Sequence, residues 1–405
     1  GAGAMVLFRD PISAVTFGTE EYGWAVAGLG AAVAFRVIAA GQGALVQGMR
    51  RIADVAMIGL VGAVLGTIAG VALVWMLGDA GIVPAVGAAA AGTLAASWWY
   101  SRRVRLAPVG MDTAVAKAEI ASLLKLGSAF MASGFLMMGA AYAVRAMVLQ
   151  WDGAEAAGYY QAAWTVGGLY VGIILQAMGA DFYPRLTGAA HDHALMNRLV
   201  NEQTQVGLLL AAPGVIATLA FAPLAILVLY SSQFSEATDV LRWICLGMAL
   251  RVISWPMGYT ILAKGAQRLF FGTELAWTLV NVGLSALLIP QYGVNGAGIA
   301  FFGSYMFHLA MIYGVSRWLT GFRWTRENGI SAAYFIALVA LIFVGFSSIP
   351  AWLTYLAGAL ALIGVTVYCL RQLVHLVDED QIPARLRGVL GYVRRGRRTM
   401  PESGS

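Results

Sequence analysis

Eleven apolar runs, each about as long as a bilayer is thick, follow one another along this chain, and the connections between them alternate between basic and base-free. A helix needs about 20 mostly apolar residues to cross the hydrocarbon core. Runs of that length occupy roughly residues 22–47, 53–77, 83–100, 126–150, 156–180, 203–222, 237–262, 269–289, 293–316, 328–347 and 350–370. They are rich in glycine and alanine and lack the two-residue alternation of a barrel strand. The sequence therefore predicts an all-α polytopic membrane protein. Composition excludes the alternatives: 60% of the 405 residues are apolar, 11% are charged, and mean hydropathy is +0.75. Surface grows too quickly with size for so few charges to cover a soluble core. Cys245 and Cys369 both lie in apolar runs, which argues against a disulfide framework.

Lysine and arginine set the orientation. One side receives Arg50 and Arg51, then Arg102, Arg103, Arg105, Lys117 and Lys125, then Arg185 and Arg198. It also receives Lys264, Arg268, Arg317, Arg323 and Arg326. With Arg371, Arg385, Arg387, Arg394, Arg395, Arg397 and Arg398 in the tail, it holds 21 of the 26 basic residues. The opposite connections, near 78–81, 152–155, 231–236, 291–295 and 347–350, hold none. The basic side is expected to be cytoplasmic, with the C-terminus on it. The net charge of +6 thus reflects topology, and no nucleic-acid partner is expected. An odd number of spans places the start of the chain outside. Gly1–Phe8 is apolar but too short to span, and reads as the outer end of a helix whose upstream part is absent, an N-terminal truncation. The tail from Arg371 interleaves arginines with Leu373, Val374, Leu386, Val389, Leu390 and Val393, the pattern of an amphipathic helix lying on an anionic inner leaflet.

The connections also bear on chemistry. Outer connections of about five to ten residues are too short for the catalytic loops of a glycan polymerase or ligase. No cytoplasmic domain with acidic metal ligands is present for a nucleotide-sugar transferase, and no GxxxxGK[ST] phosphate loop for ATP hydrolysis. His191 and His193 flank Asp192, but two histidines are a weak metal signal, and neither metal nor cofactor is expected. His308 stands alone in a span, as a packed or cavity-facing group. The chain is expected to move a substrate, not to be an enzyme.

Ionisable residues inside a span cost several kcal/mol, so they usually face a cavity or a partner. Four arginines have this placement: Arg36 and Arg251 near mid-span, Arg145 and Arg242 nearer the outer ends. The carboxylates are fewer. Glu274 enters from the inner end of its span, and Asp181 and Glu202 flank a cytoplasmic connection. Arg251 is expected to pair with Glu274, leaving cations that ask for an anion. A guanidinium presents a planar fork suited to phosphate oxygens and keeps its charge in a dry site. Snorkelling of Arg145 and Arg242 to the interface is the plainer alternative. Gly62, Gly66 and Gly70, four residues apart, suit close helix packing within the bundle or a dimer face. Trp164, Trp243, Trp255 and Trp277 are candidates for stacking on sugars, though interfacial anchoring is their usual role. Pro213 and Pro256 sit in spans and predict kinks. The first is expected to break its helix, with Phe221–Tyr230 lying at the outer interface.

Several strings carry a resemblance: Tyr160-Gln-Ala-Ala-Trp164, Gln176-Ala-Met-Gly-Ala-Asp181-Phe-Tyr-Pro184-Arg185-Leu186, Asn201-Glu202-Gln203-Thr204 and Leu229-Tyr230-Ser231 with Phe234. Arg251-Val-Ile-Ser-Trp255-Pro256, Leu262-Ala263-Lys264-Gly265 and Gln47-Gly48-Met49-Arg50-Arg51 belong to the same set. In order and spacing, over about residues 22–320, they resemble the O-antigen and common-antigen (Wzx-type) flippases. Those form the polysaccharide branch of the multidrug/oligosaccharidyl-lipid/polysaccharide exporter superfamily. The resemblance implies two helical lobes around a central cavity and about 14 transmembrane helices, of which about 11 are present. On that frame residues 1–125 are the remainder of the N-terminal lobe, 126–320 the C-terminal lobe, 321–370 two accessory helices and 371–405 the basic tail.

For function, the resemblance implies flipping of an undecaprenyl-pyrophosphate-linked oligosaccharide across the bacterial inner membrane by alternating access, alongside polysaccharide assembly proteins. Arg36, Arg145, Arg242 and Arg251 would hold the pyrophosphate. Asp181, Glu202 and Glu274 would couple an ion or, with Lys264, act as latches. The alternatives are a multidrug extruder or lipid II flippase of the same superfamily, or a membrane polymerase or ligase. Cationic drugs would favour buried carboxylates over arginines.

Overall fold

Helix follows helix almost without interruption. A computed structural model describes residues 1–17, 19–49, 51–104 and 113–376, and no strand forms among them. Two short helices, α1 (Ala2–Leu7) and α2 (Arg9–Phe17), precede α3 (Gly23–Gly48), α4 (Ile52–Leu77) and α5 (Ile82–Ser101). Then come α6 (Thr113–Asp152), α7 (Ala154–Gly188), α8 (His193–Ala220), α9 (Ala222–Leu229) and α10 (Ala237–Ala263). The chain continues through α11 (Gln267–Tyr292), α12 (Val294–Thr320), α13 (Arg326–Ser348) and α14 (Ala351–Leu376). Among the described residues, the eleven helices of 20 residues or more coincide in order with the eleven apolar runs. The protein is an all-helical, multi-pass membrane protein. It divides into two compact units, Gly1–Lys117 and Ala118–Ser405.

In the first unit, small residues bring helices together. Gly62, Gly66 and Gly70 of α4 face Thr93, Ala89 and Ala85 of α5. A methyl group on Gly66 would stand 2.8 Å from the Cα of Ala89, and one on Gly62 would stand 2.9 Å from the Cα of Thr93. Burying leucine on leucine gains little in lipid, where close backbone contact holds helices together instead. The glycine stripe is therefore occupied within the chain. A buried hydroxyl adds α3: Ser97 Oγ donates to Gln42 Oε1 at 2.7 Å.

The second unit is organised around α10. Of the apolar window of α10, 78% is buried inside the protein, against 17% for α14, so α10 is the axis and α14 lies on the periphery. Leu241, Ile244, Met248 and Ile253 of α10 pack with Ile216 and Leu219 of α8 and Phe301 of α12. A separate cluster at the basic end gathers Phe182 and Leu186 of α7, Met196 of α8, Met257 and Ile261 of α10, and Phe322.

Some local expectations needed correction. Pro213 does not break its helix: α8 runs on to Ala220, the interruption comes at Phe221, and residues 222–229 form the separate α9. Proline removes one backbone donor and crowds the preceding turn. Next to it, Gly214 has no side chain to obstruct the Tyr170 ring, and the Tyr170 hydroxyl donates to the Leu210 carbonyl at 2.8 Å. The Tyr170 hydroxyl thus bonds to the same turn, at the carbonyl next to the Leu209 carbonyl that Pro213 leaves without its helical donor. The connections without basic residues are also shorter than five residues where α6 meets α7 and α11 meets α12. Each is a single glycine, Gly153 and Gly293, at φ of 93° and 58°. A helix end can reverse that sharply only through a residue free to adopt positive φ. Finally, α14 continues through Arg371 to Leu376. The rest of the expected amphipathic tail, 377–405, lies outside the described residues, as do Arg50 and Arg105.

Candidate functional site

Arg251 lies midway along α10 and is half-buried. The α10 backbone places it one turn before Ser254, whose hydroxyl donates to the Arg251 carbonyl at 3.2 Å and stands 3.1 Å from His308 Nδ1 on α12. The charge of Arg251 acts on Glu274 of α11 and on Tyr305 and His308 of α12. Tyr305 and His308 are held edge to face at 5.4 Å, and both pack on Trp277, with ring centres at 5.5 and 6.4 Å. Side chains of α10, α11 and α12 thus meet one helical turn from Arg251.

The expected direct pair between Arg251 and Glu274 is not formed. Among the described residues the ion pairs within 4.0 Å are Arg9–Asp10, Arg51–Asp54, Arg185–Asp181, Arg198–Glu202 and Arg242–Asp239. The span arginine that is neutralised is Arg242. Its guanidinium meets Asp239, one turn earlier, at 2.9 Å and lies 3.8 Å from the ring centre of Phe346 on α13. A carboxylate three residues away on the same helix is a short, local solution. A pair between α10 and α11 depends on how the two helices are rotated against each other.

The remaining sequence candidates fall into separate places. Arg36 is exposed on α3 of the first unit and has no ion-pair partner among the described residues. Arg145 is exposed on α6 and has no ion-pair partner among the described residues. Asp181 and Glu202 are exposed near the basic ends of α7 and α8, each paired four residues along its own helix, with Arg185 and Arg198. Lys264, after α10, reaches across to the turn between α7 and α8. Its Nζ donates to the Ala190 carbonyl at 2.6 Å and lies 2.7 Å from His193 Nε2. Between the two histidines, Asp192 caps α8 by accepting from the Leu195 backbone N–H at 3.0 Å.

All four candidate tryptophans are packed against rings of the protein. Trp164 meets Phe301 at 5.1 Å, Trp243 meets Phe343 at 4.5 Å, Trp255 meets Tyr259 at 4.5 Å, and Trp277 meets Tyr305.

Two polar features were not read from the sequence. The first is a seam along α11: Thr273, Trp277, Asn281 and Ser285 recur every fourth residue, with Thr278 beside them. Trp277 Nε1, Thr278 Oγ1 and Ser285 Oγ are buried without a hydrogen-bond partner among the described residues. Groups of that kind in an apolar setting call for water or a ligand. Their four-residue spacing within an apolar run was the available signal. The second is an asparagine clamp at the basic end. Asn201 of α8 donates to the Arg323 carbonyl at 3.1 Å, accepts from the Thr325 N–H at 2.9 Å, and takes Asn328 Nδ2 on its own carbonyl at 2.7 Å. Beside the clamp is an open polar cleft of about 330 Å³, lined by Arg198, Glu202, Gln205 and Glu327 among others.

Known proteins extend this picture. The sequence profile of a family described as polysaccharide biosynthesis protein matches residues 1–239. The lipid III flippases of Escherichia coli (strain K12) and Shigella flexneri are each 29% identical over 91 residues, a match spanning 22% of this chain and 22% of theirs. In fold, the chain is similar to the lipid II flippase MurJ in an inward closed conformation. That likeness has a TM-score of 0.64 at 13% identity over 87% of this chain and 75% of that one. It is also similar to a multidrug resistance MATE family transporter of the MOP superfamily in its outward-facing conformation. Here the TM-score is 0.61 at 15% identity over 79% of this chain and 75% of that one. The fold is that of these membrane transporters.

Proposed function

Because the chain belongs to the polysaccharide biosynthesis protein family, we propose that it flips a lipid-linked oligosaccharide, anchored through undecaprenyl pyrophosphate, across the bacterial inner membrane with its C-terminus in the cytoplasm. The observation that carries this reading is Arg251: a mid-span guanidinium without a carboxylate within 4.0 Å among the described residues. An arginine in that position needs an anion or water, and pyrophosphate fits its donor geometry. In this reading Arg251 holds the headgroup, with Arg145 of the same unit contributing, and Arg36 is the candidate cation of the first unit. Arg242, already met by Asp239, contributes less. The glycan stays in water and the polyprenyl tail in lipid.

Glu274 gives the cycle a means of release. Ionised, it competes with the pyrophosphate for Arg251; protonated, it leaves Arg251 to the substrate. Lys264 acts at the basic end as a latch from α10 to the turn between α7 and α8, while Asp181 and Glu202, paired within their own helices, are left as candidates for ion coupling. Lipid III, the substrate named for the Escherichia coli relative, is the preferred member of the substrate class, on the 29% identity with that flippase. A multidrug extruder fits less well, since the charge nearer mid-span, Arg251, is a cation, and Glu274, which also has no counter-ion within 4.0 Å among the described residues, lies nearer the basic end of α11.

The test is genetic. Arg251→Ala and Arg36→Ala in the full-length protein are expected to reduce surface glycan in a flippase-deficient strain at least tenfold at equal protein level. Normal display from both variants would overturn the anion site. Complementation of a strain lacking its lipid III flippase, but not of one lacking its O-antigen flippase, would assign the substrate.

A further inference from the structure

At the end of α5 two arginines crowd onto one indole. The Cζ of Arg102 lies 4.0 Å from the ring centre of Trp99 and 4.7 Å from that of Trp98. The Cζ of Arg103 lies 5.3 Å from Trp99 and 5.0 Å from Tyr100. Beneath them Arg51, paired with Asp54, donates from Nη1 to the Arg103 carbonyl at 3.2 Å, so the N-terminal end of α4 braces the end of α5. Neither Arg102 nor Arg103 has a carboxylate within 4.0 Å among the described residues. Trp98 and Trp99 are 54% and 47% exposed, and both arginines are exposed too.

We propose that this cluster is a binding site for the headgroup of an anionic phospholipid. Two like charges gathered on one ring repel each other, and an anion between them removes that cost. The ring contacts hold both guanidinium groups at the end of α5, and neither donates a hydrogen bond to the protein among the described residues, so their N–H groups are available to phosphate oxygens. The depth is right as well. The cluster sits where an apolar spanning run ends, the level at which tryptophan anchors in a bilayer and lipid phosphates lie. Three arginines against one aspartate leave a surplus of cations, which selects phosphatidylglycerol or cardiolipin over a zwitterionic lipid that brings its own cation. This site belongs to the first unit and does not depend on the transport reading.

The test titrates the purified full-length chain with phosphatidylglycerol, cardiolipin or phosphatidylcholine and counts bound lipid by native mass spectrometry. The anionic lipids are expected to bind at least tenfold more tightly than phosphatidylcholine. In Arg102→Gln/Arg103→Gln their affinity is expected to fall about thirtyfold, the order for two phosphate-facing arginines at a membrane surface, with phosphatidylcholine binding unchanged. Arg102→Lys/Arg103→Lys, which keeps charge but loses the planar fork, is expected to fall between the two and gives the reading if the glutamine pair misfolds. Equal binding of anionic and zwitterionic lipids, or undiminished phosphatidylglycerol affinity in the substituted chain, would overturn the proposal. So would displacement of phosphatidylglycerol by tenfold less undecaprenyl pyrophosphate, which would make the cluster a substrate site.

Discussion

His308 Nδ1 and Ser254 Oγ stand 3.1 Å apart, joining α12 to α10 across 54 residues of sequence, one helical turn from Arg251. The contact ties α12 to α10, and Tyr305 and His308 pack with Trp277 of α11 beside it. Ser254 and His308 should therefore behave as a unit. In a double-mutant cycle with Ser254→Ala and His308→Ala, a coupling of about 1 kcal/mol is expected, the size of one hydrogen bond. Thermal unfolding of the full chain in detergent measures it, and strict additivity would sink the pairing.

The charge of Arg242 is already met inside the protein. Removing Arg242 and Asp239 together deletes a neutral pair, whereas Arg251→Ala deletes a charge without a carboxylate beside it. Surface glycan in the complemented strain is expected to fall less than threefold for Arg242→Ala/Asp239→Ala and at least tenfold for Arg251→Ala. Equal losses would show that both arginines serve the substrate alike.

Close approach of α4 and α5 makes a graded prediction. Gly66→Val puts side-chain atoms where the Ala89 backbone already is, with the first methyl position only 2.8 Å from its Cα, and is expected to destabilise by about 1–3 kcal/mol. Gly59→Ala, on the same helix, has nothing within 4 Å and is expected to be neutral or slightly stabilising, because alanine is the better helix former. Melting temperatures of the two variants in the same detergent decide this. Similar losses would mean that the stripe does not hold the helices.

Asn201 closes the turn between α12 and α13. Asn201→Ala strands the Thr325 N–H and frees the Arg323 carbonyl. An unsatisfied buried group costs about 1–3 kcal/mol. The substituted chain is expected to be cut by trypsin after Arg323 at least tenfold faster, with fragments identified by mass. An unchanged rate would mean that the turn is held by packing of Phe322 alone.

The spans were legible because a bilayer imposes a length and because basic residues sort to one side. Neither requirement depends on which helix touches which. Gly62, Gly66 and Gly70 announced a close contact, but α5 as the partner followed only from the fold. Arg251 was legible as a mid-span cation, and its surroundings were not: Ser254 and Tyr305 look like ordinary span residues until three helices are in register. The Arg251–Glu274 pair was expected from composition and is absent because ion pairing turns on ångströms of helix rotation. Arg242 found Asp239 because that partner lies on the same helix, where sequence spacing is distance. Asn201 and Asn328 are 127 residues apart, and their hydrogen bond has no sequence signature.

By itself, then, the amino-acid order determined the order of the apolar segments and which charges lie within them, and most of their ends to within a turn or two, whereas α6, α7 and α8 run more than two turns beyond their apolar runs. Those properties follow from burying apolar groups and satisfying the backbone, both local along the chain. Only tertiary structure decided that Arg251 and Glu274 do not pair, that Trp164, Trp243 and Trp277 are taken up in packing between helices, and that Arg51 comes up against the Arg103 carbonyl. Such contacts hinge on the rotation of one helix against another, and shifts of an ångström decide whether a charge is neutralised or left to bind an anion.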